Sequence, residues 1–426
     1  MLRPVALGAA AAGLTLGLIG AGTGVAAASH YQSVYQYAKY VGGHGKANSK
    51  LSPVVIGVVN QRTGADAPVP KWTTGVKVAV KYINAHTHGI DGHPLKAVYC
   101  VIATTVGDAS KCGDEFANNK AIDTVNVGVL SVGTTALVNA LAPSKKPMFS
   151  GLAFSTVLPK DTDAFVFDGT AWSVNVPMAT LGKKLGVKKV SYIYGSNTPI
   201  GPEIEKLVSS AFKDEGINTI FAASYTTHTP NLLEPIEASH VATTTLFIAE
   251  SAGGATCADT YQALKTLGLA TKVKVLVSVT CDTPTVAKAD GGTLPKDWYY
   301  LTANPLPGSP TKAVSAAKRV FTKLGNATGG LTPWQTDAFG QILTNAKFDT
   351  EILKEGKKIT PATVSAKARA FKGPMANGPK TESCGSISGY PGLCGSEASF
   401  FQNTSPGVMK PIAYGVGLPK GFTVTG

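Results

Sequence analysis

From Val54 onward the chain alternates between short apolar runs and longer stretches in which apolar residues recur at helical spacing. Val54–Asn60 is apolar until its last residue, the pattern of a strand buried on both faces. A polar loop with Thr63-Gly64 follows. Val76, Ala79, Val80 and Ile83 then fall on one face, which predicts an amphipathic helix packed on a sheet and ending in Tyr82-Ile83-Asn84-Ala85. The turn Gly89-Ile90-Asp91-Gly92 leads into a second strand.

The unit repeats. Strands are predicted at Val54–Asn60, Lys96–Ala103, Thr124–Ser131, Lys189–Gly195, Asn218–Ser224, Thr244–Glu250, Lys272–Val279 and Asp297–Thr302, with a further strand end at Phe149–Phe154. Helical patterns fill the gaps, among them Ile200–Glu215, Thr256–Leu267, Thr311–Leu324 and Pro333–Leu353. Repeated strand–helix units with continuously apolar strands imply parallel sheets covered on both faces. One sheet would be too wide for so many units, so two wound lobes are expected. The crossings are placed at Phe165–Pro177, at Tyr300–Pro310 and between Asn345 and Gly378. Residues after Thr381 read as a disulfide-closed loop followed by an edge strand.

Composition adds limits. A chain of 426 residues with 44% hydrophobic and 15% charged residues can bury a full core and is not of the disordered class. Met1-Leu2-Arg3 precedes an uncharged Ala/Gly/Leu run that ends in Ala26-Ala27-Ala28-Ser29, the form of a secretory signal peptide over residues 1–28. An uncleaved membrane anchor is the rival reading. Residues 29–52 read as a polar linker. No cysteine lies near the expected cleavage point, so a lipoprotein anchor has no acceptor there. The six cysteines fall into local pairs, Cys100/Cys112, Cys257/Cys281 and Cys384/Cys394. An even count in an exported chain favours disulfides, although other pairings are formally open. None of these spacings suits a metal.

The net charge of +13 invites a nucleic-acid partner, but only four of the 39 basic residues are arginine: Arg3, Arg62, Arg319 and Arg369. Phosphate and base recognition leans on arginine forks, and the lysines here are scattered or paired without interleaved aromatic residues. No nucleic-acid partner is expected. His86, His88 and His93 form a spaced histidine array, but no cysteine and no acid besides Asp91 joins it, so a solvated loop is expected and no metal or cofactor.

The order strand, Thr-Gly loop, Gly75-x3-Ala79-x3-Ile83-Asn84-Ala85 and Gly89-Ile90-x-Gly92 resembles the opening of the leucine/isoleucine/valine-binding-protein-like family, the type I solute-binding proteins of ABC importers. The resemblance covers most of the chain from Val54. It implies an α/β fold of two doubly wound parallel-sheet lobes joined by a three-strand hinge, the periplasmic binding protein-like I fold. Residues 53–170 plus 303–350 would form the first lobe, and 171–302 plus 351–426 the second. It also implies a small-molecule ligand, a permease and ATPase complex as partner, a periplasmic or extracellular place at the cell envelope, and a monomer.

Ligands in open α/β sheets sit beyond the carboxyl ends of strands, near helix starts. The strongest such element is Ser131-Val132-Gly133-Thr134-Thr135, where backbone N–H groups and hydroxyls make a cradle for a carboxylate. The family places its ligand-carboxylate residues there. In amino-acid-binding relatives the next strand end, here Ala153-Phe154, supplies a carbonyl and a Thr hydroxyl to the ligand ammonium, and Phe154 stands in that Thr's place. The family's ammonium-holding acid corresponds to Thr280, with Asp282 close by. Gln61, Thr63, Ser196, Asn197, Glu250 and Ser251 are further polar candidates at strand ends, and Phe154 with Trp172 could form an apolar wall. A ligand-sensing protein for a receptor partner is the nearest alternative. A secreted hydrolase is disfavoured, because there is no Gly-x-Ser-x-Gly elbow and no histidine after His240. No enzymatic activity is expected.

Overall fold

The computed structural model describes residues 36–63, 69–103, 105–196, 201–226, 231–250, 253–304, 306–325, 330–420, 422 and 424. Five strands form the first sheet: β1 (Val54–Gln61), β2 (Leu95–Ile102), β3 (Ile122–Val127), β4 (Met148–Ala153) and β5 (Ala164–Thr170), in the order β2-β1-β3-β4-β5. Seven form the second: β6 (Lys189–Gly195), β7 (Thr219–Tyr225), β8 (Leu246–Ala249), β9 (Lys274–Ser278), β10 (Tyr299–Thr302), β11 (Ala398–Ser405) and β12 (Val408–Val416), ordered β12-β11-β10-β9-β8-β6-β7. All pairs are parallel except β10–β11 and β11–β12. These are the two lobes.

Side-chain parity shows why the strands read as unbroken apolar runs. In β8, Leu246 and Ile248 enter one core cluster while Phe247 and Ala249 enter the cluster on the opposite face. Val275 and Val277 of β9 likewise oppose Leu276. Neither face of such a strand meets water, so polar alternation is absent. In the first lobe the helix Pro70–His86 covers one face of the sheet together with the long helix Pro333–Lys354. These two helices cross closely because residue 75 is glycine. A Cβ there would lie 2.5 Å from the Gln335 carbonyl oxygen.

The predicted helices Ile200–Glu215, Thr256–Leu267, Thr311–Leu324 and Pro333–Leu353 are found at Gly201–Asp214, Gly254–Thr266, Lys312–Leu324 and Pro333–Lys354. Threonine caps explain two of the starts, because Thr311 and Thr332 accept from the N–H of Val314 and Gln335.

The cysteines pair as their spacing suggested, in disulfides Cys100–Cys112, Cys257–Cys281 and Cys384–Cys394. The first of these joins a buried cysteine to a partly buried one. Cys112 lies in the helix Val106–Asn118, is 0% exposed and packs with Ala109 and Phe116 in the interior of the first lobe. Its bond to Cys100 ties that helix to β2, so Cys112 fastens one layer of the lobe to the next.

Several readings change. Ala164–Thr170, read mainly as a crossing, is a fully buried strand, and the first crossing begins only at Ala171. The second crossing runs from Ala303 to Thr311, close to expectation. The third does not fall between Asn345 and Gly378. The helix Pro361–Ala370, missed in the sequence, packs Val364, Ala368 and then Phe371 and Met375 against Phe149, Phe165 and Phe167 of the first sheet. The chain stays on that lobe through Leu393, which bridges to Val166, and Cys394 and Gly395 both donate to the Val166 carbonyl. It crosses at Gly395–Glu397 to enter β11. Residues 351–394 therefore sit with the first lobe, and only the β11–β12 hairpin returns to the second. The expected single edge strand is this hairpin.

The segment read as a linker is also more ordered than expected. Tyr37 and Val41 are buried on the first lobe, with Tyr37 Oη donating to Asn377 Oδ1 at 2.8 Å. Burying a large apolar side chain is worth about 2 kcal/mol, enough to hold this short helix in place. The signal-peptide reading falls outside the described residues.

Candidate functional site

The first and second crossings leave from the carboxyl ends of β5 and β10, so the carboxyl edges of both sheets lie next to the connections between lobes. The candidate residues sit on these two edges.

On the first lobe, Gln61 ends β1 and is buried. Its Oε1 accepts from both the N–H and the hydroxyl of Ser131, each at 2.9 Å, so Gln61 and Ser131 are brought together. Thr63 is exposed and donates to the Ala103 carbonyl at 3.3 Å. Beyond Ser131, Gly133 adopts a left-handed φ of 78° and starts the helix Thr134–Leu141. No side chain caps this helix. The N–H groups of Thr134, Thr135 and Ala136 thus have no acceptor within the helix, and they carry the positive end of its dipole. Thr134 is buried and Thr135 exposed. A side chain at residue 133 is excluded twice, by the positive φ and by Ala109, whose Cβ would lie 2.5 Å from the added atom. Ala153 is buried at the end of β4, and Phe154 beyond it meets Trp334 edge-on, with ring centroids 6.2 Å apart.

On the second lobe, Glu250 follows β8 and is partly exposed. Tyr192 Oη donates to its Oε2 at 3.0 Å, and Tyr225 Oη donates to its backbone carbonyl at 2.6 Å. Burial pushes the Glu250 carboxyl up to about 8, and the Tyr192 hydrogen bond only partly offsets this. Asp282 follows the turn after β9 and is pushed up to about 6 by burial. Thr280 is occupied locally, its hydroxyl bonded to that of Ser278 and its N–H donating to Ser278 Oγ at 3.3 Å. Cys281 is joined to Cys257, which ties this turn to the helix Gly254–Thr266. Ser196 is a turn residue whose N–H and hydroxyl both donate to the Tyr225 carbonyl, at 2.8 and 3.2 Å. Asn197 and Ser251 lie outside the described residues.

The sequence matches a family model described as periplasmic binding protein over residues 53–385. The chain belongs to the periplasmic binding protein family.

Solved structures of similar fold span nearly all of their own length. A fatty acid ABC transporter substrate-binding protein from Thermomonospora curvata has a TM-score of 0.70 at 15% identity, covering 90% of this chain and 97% of that one. A solute-binding protein from R. palustris in complex with 4-hydroxybenzoate scores 0.67 at 18% identity, covering 86% and 98%. The branched-chain amino acid transporter substrate-binding protein LivJ from Streptococcus pneumoniae, in complex with isoleucine, scores 0.67 at 13% identity, covering 85% and 100%. No curated protein matches the chain by sequence.

In this periplasmic binding protein some expected neighbours are not neighbours. Trp172 does not face Phe154. It is buried at the first crossing and packs on Tyr390 and Phe422, at 5.2 and 6.4 Å between centroids. Phe154's partner is Trp334, which the sequence reading missed. Trp334 packs against the cores of both lobes, and a tryptophan just inside a Thr-Pro helix start was the available signal. Tyr192 and Tyr225 were also missed: Tyr192 lies inside an apolar strand that conceals its hydroxyl, and Tyr225 is the last residue of β7, one place beyond the strand predicted there. His88 and His93 each place Nδ1 on a backbone carbonyl, of Lys46 at 3.1 Å and of Ser52 at 2.8 Å, and so bind the segment before β1 to the turn before β2. No described helix is long and apolar enough to cross a membrane.

Proposed function

We propose that this protein is an extracytoplasmic solute-binding component of an ABC importer that captures a small organic carboxylate with an apolar body between its lobes. The lobes close about the three crossings, and the ligand favours the closed state by contacting both edges. The observation that carries this reading is the uncapped start of the helix Thr134–Leu141 at a sheet's carboxyl edge, a site suited to an anion. Phe154 and Trp334 on the same lobe supply an apolar surface for the ligand body. On the opposite lobe, Glu250 holds its proton at neutral pH and is able to donate it to an oxygen of the ligand. The protein performs no chemistry in this scheme; a permease and an ATPase take the ligand from it.

A second reading, an α-amino acid, is favoured by Glu250 and Asp282 themselves, since an ionised carboxyl at either place could hold an ammonium.

Thermal unfolding with short-chain and aromatic carboxylic acids, alongside leucine, isoleucine and valine, separates the two. A ligand at a hundred times its Kd adds about 2.7 kcal/mol of stability, a readily measured shift. The expected outcome is stabilisation by an organic acid, lost in the Thr134→Ala/Thr135→Ala double variant while the unliganded melting curve is unchanged. Stabilisation by an amino acid that strengthens as pH rises through about 8, where Glu250 ionises, would select the second reading. Unchanged affinity in the double variant would remove the helix start from the site.

A further inference from the structure

The three crossings meet at a buried knot of acids. Asp168 lies near the end of β5, just before the first crossing, and Asn304 lies just after β10, on the second. Glu382 packs beside the third, where a Cβ on Gly395 would be 3.3 Å from its Oε2. Asp337 comes from the long helix of the first lobe, and residue 151 must be glycine to leave room for its carboxyl. Asn304 Nδ2 donates to Asp168 Oδ2 at 2.6 Å and reaches Asp337 Oδ1 at 3.4 Å, while Trp72 Nε1 donates to Asp337 Oδ2 at 2.8 Å. The carboxyls of Asp168 and Asp337 lie close enough that each acts on the other's ionisation.

The knot is short of partners. Asp168 is 0% exposed and Glu382 is 3% exposed. Asp168 Oδ1 and both oxygens of Glu382 have no hydrogen-bond partner among the described residues. The other titratable groups facing the knot are Glu397, which accepts from the Thr381 hydroxyl at 2.6 Å, and Tyr40. No lysine, arginine or histidine among the described residues acts on Asp168, Asp337 or Glu382.

We propose that this knot is a proton-held lock on the hinge: while Asp168, Asp337 and Glu382 keep their protons the three crossings are drawn together, and loss of those protons to water at higher pH drives them apart. The proposal rests on reading the crossings as the hinge between closing lobes. Burial raises the ionisation of all three acids above the ordinary carboxyl range, and neighbouring acids add to the effect for Asp168 and Glu382. A folded-state value raised in this way gives stability that is fully present below about pH 4 and is lost as pH rises through the raised values.

The test uses the unliganded protein, so its outcome is independent of which ligand binds. Melting temperature and radius of gyration, by small-angle X-ray scattering, are followed from about pH 5 to about pH 9. The wild type should expand and lose stability toward high pH. In Asp168→Asn/Glu382→Gln the expansion should vanish, and the melting temperature at the high-pH end should exceed that of the wild type by on the order of 3 °C. The two proteins should converge at the low-pH end. Should the double variant not fold, Glu382→Gln alone gives the same comparison, since its carboxyl has no hydrogen bond to lose. Parallel pH profiles in wild type and variant would overturn the lock, as would a radius of gyration independent of pH in the wild type.

Discussion

Glu250 shows what a single residue can and cannot declare. Its place at a strand end was legible from the run Leu246–Ala249 that precedes it. Its charge state was not, because that depends on Tyr192 and Tyr225 arriving from neighbouring strands and on the water they exclude. Burial holds its ionisation at about 8, so the stability tied to this group is fully present below the ordinary glutamate value and is lost as pH rises through about 8. Glu250→Gln keeps the oxygen that accepts from Tyr192 and removes the ionisation. The variant should match the wild type at low pH and exceed it above about pH 8, by on the order of 2 kcal/mol once partial exposure is discounted. Urea unfolding at the two pH extremes measures this, and equal stability at both would show that the carboxyl is better solvated than its surroundings indicate. Phe154 teaches the same lesson: an aromatic residue replacing a hydroxyl was visible, but Trp334, its partner, lies far along the chain.

At the scale of elements, strands and helices with strong periodicity were legible and those without it were not. Pro361–Ala370 buries only Val364 and Ala368 along its length, too sparse a pattern to stand out. Strand β5 is so completely buried, and followed so closely by further apolar residues, that its end could not be separated from the crossing. The local cysteine pairs, by contrast, were readable because short loops bring partners together. What each bond supports was not readable: Cys100–Cys112 fastens the helix Val106–Asn118 to β2, whereas Cys257–Cys281 stands beside the candidate site. The latter joins the start of the helix Gly254–Thr266 to the turn carrying Thr280 and Asp282, so it holds candidate site residues on a rigid support. Cys257→Ser/Cys281→Ser should cost about 3 kcal/mol in denaturant unfolding. Amide hydrogen exchange should rise at residues 278–282 more than in the first lobe. An increase spread evenly over both lobes would contradict a local supporting role.

At the scale of the whole molecule, two separate sheets joined by crossings that begin at Ala171 and run over Ala303–Thr311 and Gly395–Glu397 change their relation through those segments. A ligand that contacts both edges should therefore shrink the protein without altering either lobe. Small-angle scattering on saturation with the stabilising ligand should show a smaller radius of gyration, while far-ultraviolet circular dichroism stays constant. An unchanged radius would mean that the ligand occupies one lobe alone. The sequence by itself determined the alternation of strands and helices, the division into two wound lobes, the local disulfides and the helix start at Gly133, because each depends on the periodicity and chemistry of nearby residues. Only the tertiary structure decided the third crossing, the attachment of residues 351–394 to the first lobe, the pairing of Phe154 with Trp334 and the gathering of Asp168, Asp337 and Glu382. Those contacts join positions far apart in the chain, and their energies come from burial and from the interaction of side chains that no local pattern records.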